Sequence, residues 1–527
     1  MKRNKILFWS LLLTIPIFTG VITGCQKFLD RKPLTATLDD LKQGAVEGQS
    51  LGLYTSLRTL AGFSLLPWLD FHSIRDDDAQ KGSNQSDGAE VNAEFENFNY
   101  SKDDWAPNTY WNDHYAMINL ANNELHDADS LKVTDAASLR NVGEASFFRA
   151  YAYFELVKTY GDVPKLTQKI VLPADGIKAK SPAADIYSLI DADLAIAAKY
   201  LPINSSGYGS EQFKGRLTSG AANTLWAQTN LFRGNWSQVN GLCRLVMGSG
   251  QYSLTPKFVD IWKDGLNGMG KNGPESIFEM QASDGANAVS NSAVDNGSNW
   301  GTSQQVRQGG ASNLWNLGWG WNQPTDNLVN AWDDTDPRKA STILYSGQSD
   351  DPANGGWGAT LPPYNAGEAM GGIARKYWNK KLYIGNDPAM RSFTGFVNGN
   401  GGAPWINHRI LRYADVVLML AEAANETGDG ITAEAMVEMI RARARGSNNA
   451  ILTHIAFVNQ AQMRTVIKNE RRFEFAMEGY RFYDLVRWGD AINVLGGLGY
   501  TNRCRFYPIP QKAIDLSGGV LKQNSEW

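Results

Sequence analysis

Apolar residues recur at helical spacing over both ends of the chain, and this pattern predicts a mainly α-helical protein. Phe147, Tyr151 and Phe154 stand at positions i, i+4 and i+7, so they form one stripe of a helix. Gly161 and Pro164 are typical of the end of that helix. Comparable spacing predicts helices over about 41–60, 106–127, 135–160, 182–200, 216–233, 236–248, 411–427, 432–445, 459–478 and 480–494.

Several of these helices fall into pairs. Ala150 and Phe154, with a proline beyond them, match part of the tetratricopeptide pattern. The segments AANTLWAQTNLFRGNWSQV and YADVVLMLAEAANETGDGITAEAMVEMI each contain an Ala-rich helix, a Gly turn and a second helix. The units are scattered along the chain, so we expect one helical scaffold with long irregular loop insertions. The scaffold covers about 41–250 and 405–495, and a loop-rich part covers about 263–404.

The first residues have the pattern of an export signal. A basic start is followed by an apolar run over 6–22, which Pro16 interrupts. The run is too short and too interrupted to predict a transmembrane helix. It ends in ITGC, which resembles the cleavage box of bacterial lipoproteins, so we expect a signal peptide over 1–24 and a lipid on Cys25. The alternative is an ordinary secretory signal with a chance cysteine.

Composition narrows the class of partner. A hydrophobic fraction of 43% and a charged fraction of 20% are ordinary for a globular protein of 527 residues. The formal net charge of -4 gives no electrostatic reason to expect a nucleic acid, so a neutral ligand fits better. After Cys25 only Cys243 and Cys504 remain, which excludes a disulfide scaffold and leaves a pair or two buried thiols.

Enzymatic motifs are missing from the sequence. None of the five histidines lies in H-E-x-x-H, and neither G-x-S-x-G nor a P-loop occurs. We therefore predict no catalytic residue, although paired carboxylates of a glycoside hydrolase leave no sequence motif. The clusters RDDDAQ and WDDTDPR could ligate calcium, but their spacing favours solvated or Arg-paired carboxylates. No cofactor or metal ion is predicted.

The segment 469–490 is dense in glutamate, arginine and aromatic residues at helical spacing. Glu470, Glu474 and Glu478 share one helix face because they are four positions apart. The sequence predicts an ion-pair network that locks two packed helices, rather than an active site. The expected partners of these glutamates are Arg471, Arg481 and Arg487.

Tryptophans are concentrated in the loop-rich part of the chain. Five of the 17 fall between positions 300 and 332. Trp332 continues a helical stripe with Leu328 and Val329, so it is expected to pack inward. The alternating Gly and Trp of GWGW give no such stripe, which favours outward rings that stack on sugar faces. The alternative is that these rings also pack inward. The tryptophans without a stripe are Trp315, Trp319 and Trp321.

The chain resembles the SusD/RagB family of nutrient-binding outer-membrane lipoproteins of Bacteroidetes. The resemblance is carried, in order along the chain, by GCQKFLD, TYWNDHYAMINLANNEL, GEASFFRAYAYFELVKTYGDVP, GRLTSGAANTLWAQTNLFRGNW, QPTDNLVNAWDDTDPR, LRYADVVLMLAEAANETG, ERRFEFAMEGYRFYDLVRWGD, RFYPIP and LKQN. It implies a mostly α-helical single body over 25–527 with four tetratricopeptide-like helix pairs, held at the cell surface by the lipid on Cys25. Relatives bind oligosaccharides, or peptides in some cases, and pass them to a SusC-like TonB-dependent transporter without cutting them.

The resemblance also implies where the ligand binds. In relatives the ligand loops include aromatic residues just before the proline–threonine step and a loop after the RDDD segment. The second loop, over 79–94, holds no aromatic ring here and offers polar groups such as Asn84. A glycan-binding lipoprotein is the favoured function, with a peptide-binding relative and a surface glycoside hydrolase as alternatives. The implied ligand-binding residues are Trp315, Trp319, Trp321 and Asn322, with Trp300 as a less certain neighbour.

Overall fold

The computed structural model describes most of the chain that follows the predicted signal peptide. The described residues are 44–84, 86–209, 214–263, 270–282, 298–307, 317–354, 356–364, 375–385 and 404–527. Cys25 and Trp315 therefore lie outside the described residues, and the predictions that concern them stay predictions. Among the residues that the structure describes, no helix combines the length and the apolar composition needed to cross a bilayer.

Helices dominate the described chain, as the periodicity predicts. They are α1 (Glu47–Thr59), α2 (Trp105–Ser130), α3 (Ala136–Tyr160), α4 (Ala183–Tyr200), α5 (Ser219–Phe232), α6 (Trp236–Gly248), α7 (Asn299–Gln304), α8 (Tyr413–Glu426), α9 (Gly430–Arg445), α10 (Gln460–Glu474) and α11 (Arg481–Trp488). Short α-helices cover Ala61–Ser64, Leu66–Leu69, Ala89–Val91, Asp326–Ala331, Pro337–Thr342, Ala491–Leu495 and Gln511–Leu516. Single π or 3-10 turns include Asp70–Ile74, Asn92–Glu96, Pro173–Gly176, Ser205–Tyr208, Phe258–Trp262, Pro352–Asn354, Lys380–Leu382, Gly496–Leu498 and Asn502–Arg505.

Two predicted helix ends near the C-terminus are wrong, and left-handed backbone explains both. Helix α10 ends at Glu474 instead of 478, because the chain turns through Met477 at φ 66° and Gly479 at φ 81°. The predicted helix 480–494 is divided at Gly489, whose φ of 75° ends α11. The start of α3 agrees with the prediction, since the side chain of Asp135 caps this helix by accepting a hydrogen bond from the Ser138 N–H.

The helices pack as antiparallel neighbours around one large apolar core. Helices α2 and α3, α5 and α6, and α8 and α9 form adjacent pairs. Gly234 turns α5 into α6 and Gly428 turns α8 into α9, both with positive φ, so the two predicted helical hairpins are confirmed. Buried alanines on α5 and α8, such as Ala221 and Ala421, let the paired helices approach closely.

Short antiparallel strands connect distant parts of the chain. The strands are β1 (Ala79–Gly82), β2 (Val163–Pro164), β3 (Lys180–Ser181), β4 (Ser276–Met280), β5 (Trp321–Pro324), β6 (Ile343–Tyr345), β7 (Tyr377–Asn379) and β8 (His408–Arg412). They pair as β1–β5, β2–β3, β4–β8 and β6–β7. In the first pair Ala79 faces Pro324 and Gly82 faces Trp321. This pairing places the segment after RDDD beside the Trp-rich turn.

The predicted ion-pair network exists, but its glutamates have different partners. Arg471 bonds Asp415 and Asp484, because it points to another side of α10 than its neighbour Glu470. Arg481 bonds Asp77, and Arg487 bonds Glu422. The predicted pairing with these three arginines is therefore wrong. The observed partners of the three glutamates are Arg338, Arg412, Arg441, Arg443 and Lys381.

The centre of this network is fully buried. Burial alone would raise the pKa of Glu474, but Arg443, Arg412 and Arg338 hold it below its usual value. The two acidic clusters are also paired with arginine, since Asp78 bonds Arg472. Asp336 bonds Arg338. The Arg-paired interpretation of these carboxylates is confirmed for Asp77, Asp78 and Asp336, although Asp78 and Asp336 are buried rather than on a solvated face.

The remaining cysteines are structural. Cys243 and Cys504 are both buried and free, so the alternative of a disulfide between them is excluded. Burial raises the pKa of the Cys243 thiol well above its ordinary value, which makes it unreactive. Among the described residues, no group of three or more His, Cys, Asp or Glu side chains is arranged to hold a metal ion.

Candidate functional site

The Trp-rich turn and the segment that follows β1 form one surface element. The backbone N–H of Ser83 donates to the carbonyl of Gly320 at 2.5 Å, one step beyond the β1–β5 ladder. On its other side the turn is bonded to α7, since the N–H of Trp319 donates to Thr302 O at 3.1 Å. Backbone hydrogen bonds on both sides therefore fix the position of the turn.

The glycines of GWGW serve this packing rather than the display of two rings. A Cβ atom at Gly318 would overlap the carbonyl oxygen of Thr302, so no side chain fits there. Gly320 has a φ of 70°, which favours glycine, and a Cβ at this residue would stand 3.0 Å from Cβ of Arg307. The glycines thus allow the chain to pass closely between α7 and β1.

The prediction that Trp321 and Asn322 face outward is wrong. Trp321 is the first residue of β5 and is buried beneath the segment after β1, where the Lys81 ammonium lies 5.1 Å from its ring centroid. Asn322 is fully buried with a φ of 55°, a conformation that asparagine tolerates better than most residues. Its amide accepts from Ser73 Oγ at 2.7 Å and donates to Gln304 Oε1 at 2.7 Å. Both side chains support the surface from below.

Trp300 is also part of the core, so the prediction that it neighbours the ligand-binding tryptophans at the surface is wrong. It lies on α7 and stacks on the His408 ring, with the centroids 3.9 Å apart. Its edge meets Trp68, which in turn stacks on His72. Trp300 thus belongs to the core-facing side of a short helix, whereas sequence reasoning placed this ring near the ligand. Trp332 is buried and stacked on Phe473, which confirms its predicted inward packing.

Among the predicted tryptophans that the structure describes, Trp319 is the one that reaches the surface. Its indole is half-buried and packs against the edge of the main core. The backbone bonds of the turn to Thr302 and Ser83 fix the origin of this side chain. One face of an indole held in this way can stack on an apolar sugar face while its stem stays packed.

Polar residues of 81–84 and 86–88 lie beside this turn and are tightly anchored. Lys81 Nζ donates to the carbonyl oxygens of Asn84 and Asp87, at 2.8 and 2.7 Å. Arg307 Nη1 donates to Asp87 Oδ2 at 2.5 Å and to Ser83 Oγ at 3.1 Å. We call the described residues 81–84 and 86–88 the anchored loop. Its shape is set by side chains that come from two separate parts of the sequence.

Charges in the anchored loop neutralise one another. Burial acts to raise the pKa of Asp87, but hydrogen bonds from Ser83 and Arg307 lower it below its ordinary value. Asp87 is therefore ionised at neutral pH and paired with a guanidinium. Asn84, the polar group predicted for this loop, uses its side-chain oxygen within the turn, where it accepts from the N–H groups of Ser86 and Asp87.

Sequence reasoning missed two further aromatic residues, one near the anchored loop and one near the start of α7. Tyr364 is 46% exposed, and its segment lies near Arg375: the Gly347 N–H donates to the Pro362 carbonyl, and the adjacent Ser346 Oγ donates to the Arg375 carbonyl at 2.7 Å. Arg375 donates to the carbonyl of Ser83 at 3.0 Å, which connects this tyrosine to the anchored loop. Trp405 is half-buried and follows Pro404, whose carbonyl accepts from Ser298 at the start of α7. Single aromatic residues far apart in the sequence gave no signal.

The interior also contains a cavity of about 70 Å³. Its lining includes His72, Glu155, Lys158 and Tyr483, and burial lowers the pKa of His72 to about 4. A volume of this size holds a few water molecules but no hexose ring. The surface formed by the anchored loop, Trp319 and Tyr364 combines partly exposed rings with fixed polar groups, so it is the candidate site, and we call it the platform.

Comparison with known proteins identifies relatives that share the fold. A model of the SusD family matches residues 274–503, and a model described as starch-binding and associating with the outer membrane matches residues 71–231. SusD-like protein P2 of Formosa agariphila is 27% identical over 100% of this chain and 98% of its own length.

Solved structures of other proteins share this fold. A laminarin-binding SusD-like protein is 26% identical, with a TM-score of 0.73 over 92% of this chain and 99% of its own. Surface glycan-binding protein A from Bacteroides thetaiotaomicron, solved in complex with laminarihexaose, has a TM-score of 0.70 at 20% identity and covers 92% and 99% of the two chains. The second likeness concerns the fold alone.

Proposed function

This chain belongs to the SusD family, and we propose that it is a cell-surface lipoprotein that captures oligosaccharides on its platform. The relative that binds laminarin, at 26% identity, makes a glucan the first ligand to test. Capture precedes delivery to a SusC-like TonB-dependent transporter in the outer membrane. The lipid on Cys25 keeps the protein at that membrane.

One observation carries this proposal. A half-buried indole, Trp319, stands beside a polar loop that is held rigid before any ligand arrives. Sugar recognition needs an apolar surface for the ring C–H groups and fixed polar groups for the hydroxyls. Preorganisation matters because the ligand itself loses conformational freedom on binding.

We further propose that the protein binds without cleaving. Hydrolysis of a glycoside requires two carboxyl groups on opposite sides of the bond, one of them able to give up a proton. Near the platform Asp87 is committed to Arg307 and Ser83, and Glu96 accepts the N–H of Lys81. These carboxylates hold the loop in place and are not presented as a catalytic pair.

The test is isothermal titration calorimetry with laminarihexaose, maltohexaose and a pool of short peptides. We expect heat from at least one glycan. Trp319→Ala should weaken that binding by about 1 kcal/mol, or roughly fivefold. Trp236→Ala is the matched control, because it removes a half-buried indole from α6 in the scaffold.

Three results would contradict the proposal. Binding of peptides without any glycan would favour a peptide-capturing protein. An unchanged glycan affinity of Trp319→Ala would show that the platform is not the binding site. New reducing ends after prolonged incubation with glycan would identify a hydrolase.

A further inference from the structure

A second surface, far from Trp319 in sequence, exposes apolar side chains in a rigid setting. In the segment between α3 and α4, Val171 is 76% exposed, Leu172 is 62% exposed and Ile177 is 37% exposed. Single exposed apolar residues are common, but three around one turn suggest a contact surface. We call the segment 170–177 the apolar tip.

The apolar tip is held by its own hydrogen bonds. The backbone N–H groups of Val171 and Leu172 both donate to Asp175 Oδ2, at 3.1 and 2.8 Å. The N–H of Asp175 returns a bond to the carbonyl of Leu172 at 2.9 Å. Because these bonds close a single turn, the two side chains are presented outward instead of folding back on the body.

The tip lies at the end of the molecule where the described chain begins. The segment leading to it runs along α2, since Asn122 donates to the carbonyl of Leu166 and Lys169 donates to Asp127 Oδ1 at 2.9 Å. The other oxygen of the same Asp127 accepts from Gln49, in the first turn of α1, at 3.0 Å. One carboxylate thus joins the base of the tip to the first described helix.

The attachment point of the predicted lipid is within reach of this end. Gly44 follows Cys25 by 19 positions, and a chain of that length spans at most about 65 Å. Leu131, 60% exposed, ends α2 one turn beyond Asp127. Lys178 follows the tip directly and is exposed, and a long lysine side chain can extend to phosphate groups while apolar neighbours enter the acyl region.

We infer that the apolar tip, with Val171 and Leu172, rests in the headgroup region of the membrane that carries the lipid anchor. The inference relies on the proposed acylation of Cys25. The lipid supplies attachment, and the tip supplies orientation by adding a second contact at the same end. The body would then stand with its α2–α3 end toward the bilayer.

The experiment uses the acylated full chain in vesicles of phosphatidylethanolamine and phosphatidylglycerol. Leu172→Cys is labelled with an environment-sensitive thiol dye, while the buried Cys243 and Cys504 stay unlabelled in the native protein. Ile431→Cys is the matched control, because Ile431 is 85% exposed at the start of α9, which packs on α8 and α10. Flotation of the vesicles measures anchoring independently of the dye.

We expect a shift of emission to shorter wavelength, and quenching by spin-labelled lipid, at Leu172→Cys but not at Ile431→Cys. A protein that floats with the vesicles but keeps water-like emission at Leu172→Cys would overturn the inference alone. A protein that does not float would overturn the lipid anchor as well. A shift that requires added transporter would assign the tip to a protein partner and also overturn the inference.

Discussion

Replacing Trp321 by alanine is expected to destabilise the protein, because the ring lies under the anchored loop. Trp321 is 3% exposed, and its ring borders Gly88 and the Lys81 ammonium. Truncation of a buried tryptophan costs about 3–5 kcal/mol, of which the lost cation–π contact accounts for about 0.5–2 kcal/mol. For a chain of about 500 residues the entropy of unfolding is roughly 1 kcal/mol per kelvin, so Tm should fall by about 3–5 °C.

Scanning calorimetry measures this shift, and hydrogen exchange of the backbone amides over 81–88 locates it. Exchange should quicken in the anchored loop of Trp321→Ala, and Trp321→Phe should restore part of the protection because it refills much of the space. Trp319→Ala provides the comparison, since its half-buried ring should cost less stability. If Trp321→Ala lost glycan binding while keeping the wild-type Tm and exchange pattern, the ring would be a ligand contact and the structural argument would fail.

Three further predictions concern the supports of the platform and the core. Arg307→Gln should loosen the anchored loop and weaken glycan binding severalfold, with less than about 1 kcal/mol lost from global stability, because the ion pair is partly exposed; wild-type affinity in calorimetry would count against it. The folded-state pKa of Asp87 is lowered. The stabilisation from its ionised form is therefore complete above its unfolded pKa and disappears as pH falls through the folded pKa. Protection of the loop in hydrogen exchange should be constant from pH 7 to about 5 and decline below about 4. Arg412→Ala should cost about 3–5 kcal/mol in chemical unfolding, since it leaves Glu275, Glu474 and Glu478 buried without this partner, and a loss below 1 kcal/mol would contradict the account.

The helical scaffold was predictable because the residues that determine each helix lie within that helix or next to it. The i, i+4, i+7 stripe of α3 and the capping Asp135 lie within a few residues of the structure they determine. Gly489 shows the limit, since it could be read as part of one helix or as the end of another. In the structure its left-handed conformation ends α11, and the Asp490 N–H closes the helix end on the Leu485 carbonyl at 2.9 Å.

The candidate site was harder to predict because its contacts join distant positions. Gly318 is a glycine because of the carbonyl of Thr302, and Trp321 is buried because β5 pairs with β1. Nothing within the GWGW motif distinguishes a turn that passes under a loop from one that displays its rings. Glu474 presents the same difficulty, since its three guanidinium partners come from separate elements.

The close fit of the GWGW turn restricts how its ligand preference can change. Positions 318 and 320 admit only glycine without strain, and 321 is filled by a ring that the loop above needs. Position 319 is the one position of the motif where a different side chain could be accommodated without a change in the surrounding backbone. Adaptation to a new nutrient, in nature or in the laboratory, should therefore proceed by exchange at this single residue together with the neighbouring insertions.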